Sequence, residues 1–190
     1  MTTTGFSSTD FNLWPALATM ILLILMFIGG MAGSTAGGTK VSRLVIAVKG
    51  AYINVRKLIN PRYVPKAKFE GKTIEEKTIN DVFSYFTLYW FIFLGILLLL
   101  SIDPINGQSI MISSEAGQQY EVQHGFFSNF SATLSCLCNI GPGFEAVGAY
   151  SSFAEYSVFS KSLLSLTMIV GRLEIFPVLI LLNPRTWKSV

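Results

Sequence analysis

Residues 126–148 read FFSNFSATLSCLCNIGPGFEAVG, and the fold turns on how this stretch is interpreted. Its first half, FFSNFSATLSCL at 126–137, is apolar, but as a helix it would reach only about 18 Å. That is too short to cross a hydrocarbon core about 30 Å thick. The second half cannot continue a helix, because Gly141, Pro142 and Gly143 interrupt it. Non-helical backbone at membrane depth is tolerated only where protein buries it or water lines it.

The flanks supply the membrane. Of 190 residues, 51% are hydrophobic and 13% charged, against roughly 25% charged in a soluble domain. No charge occurs from Phe11 to Thr39, or from Val82 to Ile102, which reads VFSYFTLYWFIFLGILLLLSI. Each run is long enough to span, since about 20 apolar residues suffice. The first is no secretory signal, because its apolar stretch is too long and no basic segment precedes it. The polar start MTTTGFSSTDFNLWP reads instead as a helix start, with Asp10 or Asn12 as cap and Trp14 at the interface. A third apolar helix is expected over 157–182. The order around 126–148 is then span, re-entrant helix, extended loop, span. That is the plan of a pore repeat, where loop carbonyls replace an ion's hydration shell. An ordinary outer loop carrying an interfacial helix has the same spacing.

Lysine and arginine orient the chain. Ten of the 14 lie between Lys40 and Lys77, and none from Thr78 to Ser160. By the positive-inside rule, residues 40–77 and the C-terminus are cytoplasmic and about 103–157 external. The net charge of +3 thus reflects topology and not a nucleic-acid surface.

Residues 29–40, GGMAGSTAGGTK, invite a phosphate-loop reading. The nucleotide-binding order is G-x-x-x-x-G-K-[ST], whereas here Thr39 precedes Lys40, behind a membrane helix and with no parallel-sheet pattern. Glycines and small polar residues instead let backbone leave helical geometry beside an aqueous path, or let two helices pack closely. Arg172 and Glu174 interrupt the last apolar run. Arg172 lies about 18 Å up a helix from Pro184, near mid-membrane, where an unpaired cation costs at least ~2.5–3.5 kcal/mol. It should face a pore or the glycine loop, since i,i+2 neighbours such as Glu174 do not meet on a helix. Cys136 and Cys138 read as buried free thiols. With one histidine and scattered carboxylates, no nucleophile–base or metal constellation is indicated, so the chain reads as no enzyme and without cofactor.

NIGPG after a short apolar helix, TTTGF before a long one, GGMAGSTAGGTK within that one, and GRLEIFPVLILLNPRTWK at the end together resemble the Trk/Ktr-type potassium transporters. The resemblance covers nearly the whole chain in the same order. It implies an all-α integral membrane protein of span–pore helix–filter loop–span repeats, four in one chain around a central path, of which about one and a half are here. Residues 1–60 would be the end of the third repeat and 61–78 a cytoplasmic connector. Residues 79–183 would be the fourth repeat (span 79–102, pore helix 126–137, filter 138–143, span 157–182), and 184–190 a cytoplasmic tail. It further implies that Thr3, Thr4 and Gly5 form one filter wall and Asn139, Ile140 and Gly141 another. The gate would comprise Gly29, Gly30, Gly33, Ser34, Thr35, Gly37, Gly38 and Arg172. Potassium would be the cargo, passing through filter residues only, in the cell membrane. The expected partners are the remaining repeats, a second copy in a homodimer, a cytosolic nucleotide-binding regulatory subunit and the lipid bilayer, with no nucleic acid. The alternative is a truncated, non-conducting membrane fragment or accessory scaffold.

Overall fold

The computed structural model describes residues 3–31, 33–34, 37–60, 68–69, 72–113 and 119–182. A 3-10 turn at Phe11–Leu13, capped by the Asp10 carboxylate on the Asn12 amide, leads into α1, Ala16–Ile28. The glycine stretch separates α1 from α2, Val41–Ile59. Part of the expected connector pairs as a two-residue ribbon, β1 (Lys68–Phe69) against β2 (Lys72–Thr73). The long helix α3 covers Glu76–Leu100, beginning a turn ahead of the span expected at 79–102. At 25 residues it reaches about 37 Å, long and apolar enough to cross a membrane.

The segment after α3, expected as a plain loop, contains a hairpin. Strands β3 (Ser109–Ser113) and β4 (Gln119–Gln123) pair antiparallel, with Ile110 opposite Val122 and Ile112 opposite Tyr120. The alternation of apolar and polar residues in SIMIS and QYEVQ is the period-2 pattern that places one face inward. Ile112 is buried and Met111 exposed. The fold is therefore mostly, not wholly, helical.

Helix α4, Phe126–Cys138, lies in the middle of the molecule, touching α1, α3 and α5. From Ser131 to Cys138 every residue is buried. Its environment is built by α3, whose buried residues Ile79, Val82, Tyr85, Tyr89, Phe93, Ile96 and Leu100 recur every three or four positions. Phe93 meets the ring of Phe130 edge-on at 5.2 Å, and Tyr89 Oη lies 3.1 Å from Cys138 Sγ. Cys136 and Cys138 are both free and buried.

The last span departs from expectation. In place of one helix over 157–182 there are two, α5 (Val158–Leu173) and α6 (Ile175–Leu182), bent by 106° at Glu174. Pro177 supplies the reason. It has no N–H for the Leu173 carbonyl, and its ring crowds that carbonyl, so the helix cannot run on through 173. Glu174 absorbs the turn with φ of +64°. The tail at 184–190 lies outside the described residues.

Candidate ion path and gate

The pore-type helix ends where its sequence says it must. Asn139 takes a left-handed conformation, φ +53° and ψ +49°, which asparagine tolerates better than most side chains. Its amide closes on the Cys136 carbonyl and that of Ile140 on the Ser135 carbonyl at 3.0 Å. The chain then leaves the helix axis as an extended loop. The Asn139 side chain donates to the Met168 carbonyl of α5.

Three hydroxyls on one stripe of α4 hold this loop. Ser135 Oγ donates to the Gly141 carbonyl at 2.8 Å. Ser131 Oγ accepts from the Phe144 amide at 2.9 Å and lies 3.2 Å from the Phe144 carbonyl. Ser128 Oγ donates to the Glu145 carboxylate at 2.8 Å. The spacing 128, 131, 135 keeps all three on one helix face, so the helix acts as a rail for residues 141–145. The signal was readable: small polar residues at i, i+3 and i+7 in an apolar helix.

The two expected filter segments come together although more than 130 residues separate them. A Cβ on Gly5 would lie 2.6 Å from the Ile140 carbonyl oxygen, and one on Gly141 would lie 3.4 Å from Gly5 Cα. Both have positive φ, +77° and +111°. Thr3 is half-buried with φ of +50°, and Thr4 is exposed. With Met26, Ile140, Pro142 and Phe144 they border a cleft of about 340 Å³. Asn12 fastens the two segments from outside, accepting from the Glu145 amide at 2.8 Å and donating to the Glu145 carbonyl at 3.2 Å. Sequence reasoning considered Asn12 only as a helix cap.

Below, the glycine stretch folds back on itself. Thr39 Oγ1 donates to the Phe27 carbonyl at 2.8 Å, and the Val41 amide to Gly30 at 3.1 Å. A Cβ on Gly29 would meet the Gly37 oxygen at 2.6 Å, so the two limbs of the loop touch backbone to backbone. Gly29, Gly30, Gly37 and Gly38 are buried, whereas Gly33 and Ser34 are exposed at the tip. Thr35 lies outside the described residues. The space beside Gly37 is taken by the Cys138 carbonyl, and that beside Gly171 of α5 by the Leu137 carbonyl. One glycine from the loop between α1 and α2 and one from α5 thus close on the carbonyl end of α4.

Arg172 occupies the last turn of α5, exposed, one residue after that contact. Glu174 binds Lys40, and Arg43 Nη2 at 2.7 Å. The sequence offered Glu174 only Arg172 as a partner, and not Lys40 or Arg43.

A buried polar cluster lies between the end of α3, the start of α5 and α4. Asp103 accepts from Ser157 Oγ at 2.6 Å and from the amides of Ile105 and Ser157. Burial alone would raise its carboxyl pKa, but these hydrogen bonds prevail and hold it below the ordinary value. His124 is buried edge-on against Tyr156, ring centroids 4.6 Å apart. Burial lowers its pKa, opposed by the charges of Asp103 and Glu155. Tyr156 Oη donates to Asn129 of α4 at 2.8 Å, and Asn129 to Asn106 at 2.6 Å. Tyr120, on β4, donates to the Asp10 carboxylate.

A family model described as cation transport protein, TrkH, matches residues 1–188. The Trk system potassium uptake protein TrkH of Vibrio parahaemolyticus is 33% identical over 188 residues, 99% of this chain and 34% of that protein. The Trk system potassium uptake protein TrkG of Escherichia coli K12 is 31% identical over 189 residues, 100% of this chain and 35% of its own. The crystal structure of the potassium transporter TrkH from Vibrio parahaemolyticus superposes with a TM-score of 0.77 at 33% identity, over 98% of this chain and 35% of that one. The chain spans about a third of the length of these relatives. Their names describe potassium uptake, a transport function and not catalysis. With the match running from its first residues to residue 188, the chain belongs to the TrkH family of cation transport proteins.

Proposed function

We propose that this chain forms two walls of a potassium path, as the C-terminal part of a Trk-type transporter in the cell membrane. The observation that carries the reading is the apposition of Gly5 with Ile140 and Gly141, two positive-φ backbones side by side at the end of a buried short helix. Backbone carbonyls at Thr3, Thr4, Gly5, Asn139, Ile140 and Gly141 would stand in for the water shell of a monovalent cation, with no carboxylate needed. The potassium uptake named for the relatives supports the same cargo.

Gly29, Gly30, Gly33, Ser34, Thr35, Gly37 and Gly38, with Arg172, form the gate in this reading. The close fit of Gly37 against the Cys138 carbonyl supports it, because the loop sits where an ion leaving the filter must pass. A cation such as Arg172 near a narrow, low-dielectric path repels a permeating ion far more than in water. The partners in this reading are the remaining repeats, a second copy and a cytosolic nucleotide-binding subunit docking on the basic segment 40–77. That segment and the C-terminus then face the cytoplasm.

A non-conducting scaffold is the second reading. Potassium-dependent growth of a transport-deficient host separates them. The chain expressed with the remaining repeats restores growth on low potassium under the first reading. Under the second, the remaining repeats restore growth equally well without it.

A further inference from the structure

Glu174 stands at the break between α5 and α6 with φ of +64°, a conformation side chains rarely adopt. Its two oxygens are divided between the cations that open α2, Oε1 to Lys40 Nζ and Oε2 to Arg43 Nη2. Lys40 also has a positive φ, +63°, and is the residue where the glycine loop ends and α2 begins. The Arg43 guanidinium lies 4.3 Å from the ring centroid of Tyr85 in α3, and Tyr85 meets Phe176 of α6 at 5.7 Å. All three charged side chains are at most 30% exposed. One carboxylate therefore ties the exit of the glycine loop to the bend of the last span, against α3.

We propose that Glu174 is a positioning residue that latches the glycine loop under the filter. The inference rests on the gate reading above and adds what holds the gate shut. Two left-handed residues persist only where the surroundings over-determine them. The shared ion pair supplies that constraint at both ends. Once it is broken, Lys40 and Glu174 can return to ordinary backbone regions. The limb at Gly37–Thr39 is then drawn off the end of α4, leaving the bonds of Thr39 to Phe27 and of Val41 to Gly30. A carboxylate shared by two cations away from bulk water is a stronger tie than an exposed pair, and its loss leaves two like charges facing each other.

The test compares Glu174→Gln with Lys40→Gln in the chain assembled with the remaining repeats. Both break the same bond, but they change the local charge in opposite directions. A latch predicts that both raise potassium flux per inserted molecule several-fold, and that Lys40→Glu combined with Glu174→Lys returns it towards the starting value. A simple field on the permeating ion predicts opposite movements, with Glu174→Gln slower and Lys40→Gln faster, and this result overturns the latch. If both leave flux unchanged while a deletion within AGSTAGG raises it, the latch is wrong and the gate stands. If the deletion too has no effect, the gate reading fails and the latch with it. A fall of flux in step with thermal stability assigns Glu174 a purely structural role and also overturns the proposal. As a second measurement, Lys40→Cys with Glu174→Cys, oxidised to a cross-link, should hold flux low until reduced. Flux unaffected by the cross-link counts against the latch.

Discussion

The carbonyl oxygen of Leu137 fills the place where Gly171 would carry a Cβ. Helix α5 can approach the end of α4 only because residue 171 has no side chain, and this contact sets the distance between α5 and the segment at 139–141. Gly171→Ala is expected to cost about 1–3 kcal/mol through overpacking against backbone that cannot move aside. Gly95 of α3 has open space around it, so Gly95→Ala should be neutral or stabilising by up to about 1 kcal/mol. Thermal midpoints of the two variants in detergent check the pair, and a larger loss for Gly95→Ala would refute the packing account.

Gly141→Ser should degrade potassium selectivity while leaving membrane insertion intact. Its φ of +111° disfavours any side chain, and a Cβ there would touch Gly5 Cα at 3.4 Å. Uptake competition between potassium and sodium, in the chain joined to the remaining repeats, is the measurement. Unchanged relative affinities would place Gly141 outside the ion path.

The serine rail separates stability from selectivity. Ser131→Ala strands the buried Phe144 amide, and a lost partner of that kind costs about 1–3 kcal/mol. Ser135→Ala instead releases the Gly141 carbonyl, an acceptor that water or an ion can satisfy. The first should lower the thermal midpoint more, and the second should shift ion preference more. Equal effects of both on both readouts would show that the hydroxyls act only as packing.

External acidification should loosen the outer cluster. His124 has a folded pKa below its unfolded value of about 6.5, so the unfolded chain binds more protons as pH falls. Its contribution is therefore fully present above about pH 6.5 and declines as pH drops towards the folded value. Asp103 behaves alike, but only in the lower carboxylate range. The thermal midpoint should fall between about pH 7 and 5, and His124→Gln should flatten that slope. A slope unchanged in the variant would assign the effect to other groups.

Orientation is tested by labelling. Gln119→Cys, on an exposed strand of the hairpin, should react with an impermeant thiol reagent in intact cells, while Lys49→Cys in α2 should not. The reverse pattern would invert the topology and remove the external filter with it.

Helix limits, the short central helix and the family were legible along the chain because they depend on local terms. Apolar runs free of charge, breaks at Gly141 to Gly143 and the αL-tolerant Asn139 act within a few residues of where they stand. The 106° bend could have been read from Pro177 but was passed over, because the run around it is so uniformly apolar. Which residues meet was a different matter. That Gly5 lies on Ile140, that Asn12 clasps Glu145 and that Glu174 binds Lys40 and Arg43 are contacts between segments more than 125 residues apart. No periodicity records them. They arise because α4 is surrounded on every side by α1, α3 and α5, and close packing around a buried helix allows one register only. The sequence by itself determined the long apolar helix, the short central helix and the family. The tertiary structure alone decided that Gly5 meets Ile140 and that Glu174 pairs with Lys40 and Arg43, since both depend on segments brought together only by burial.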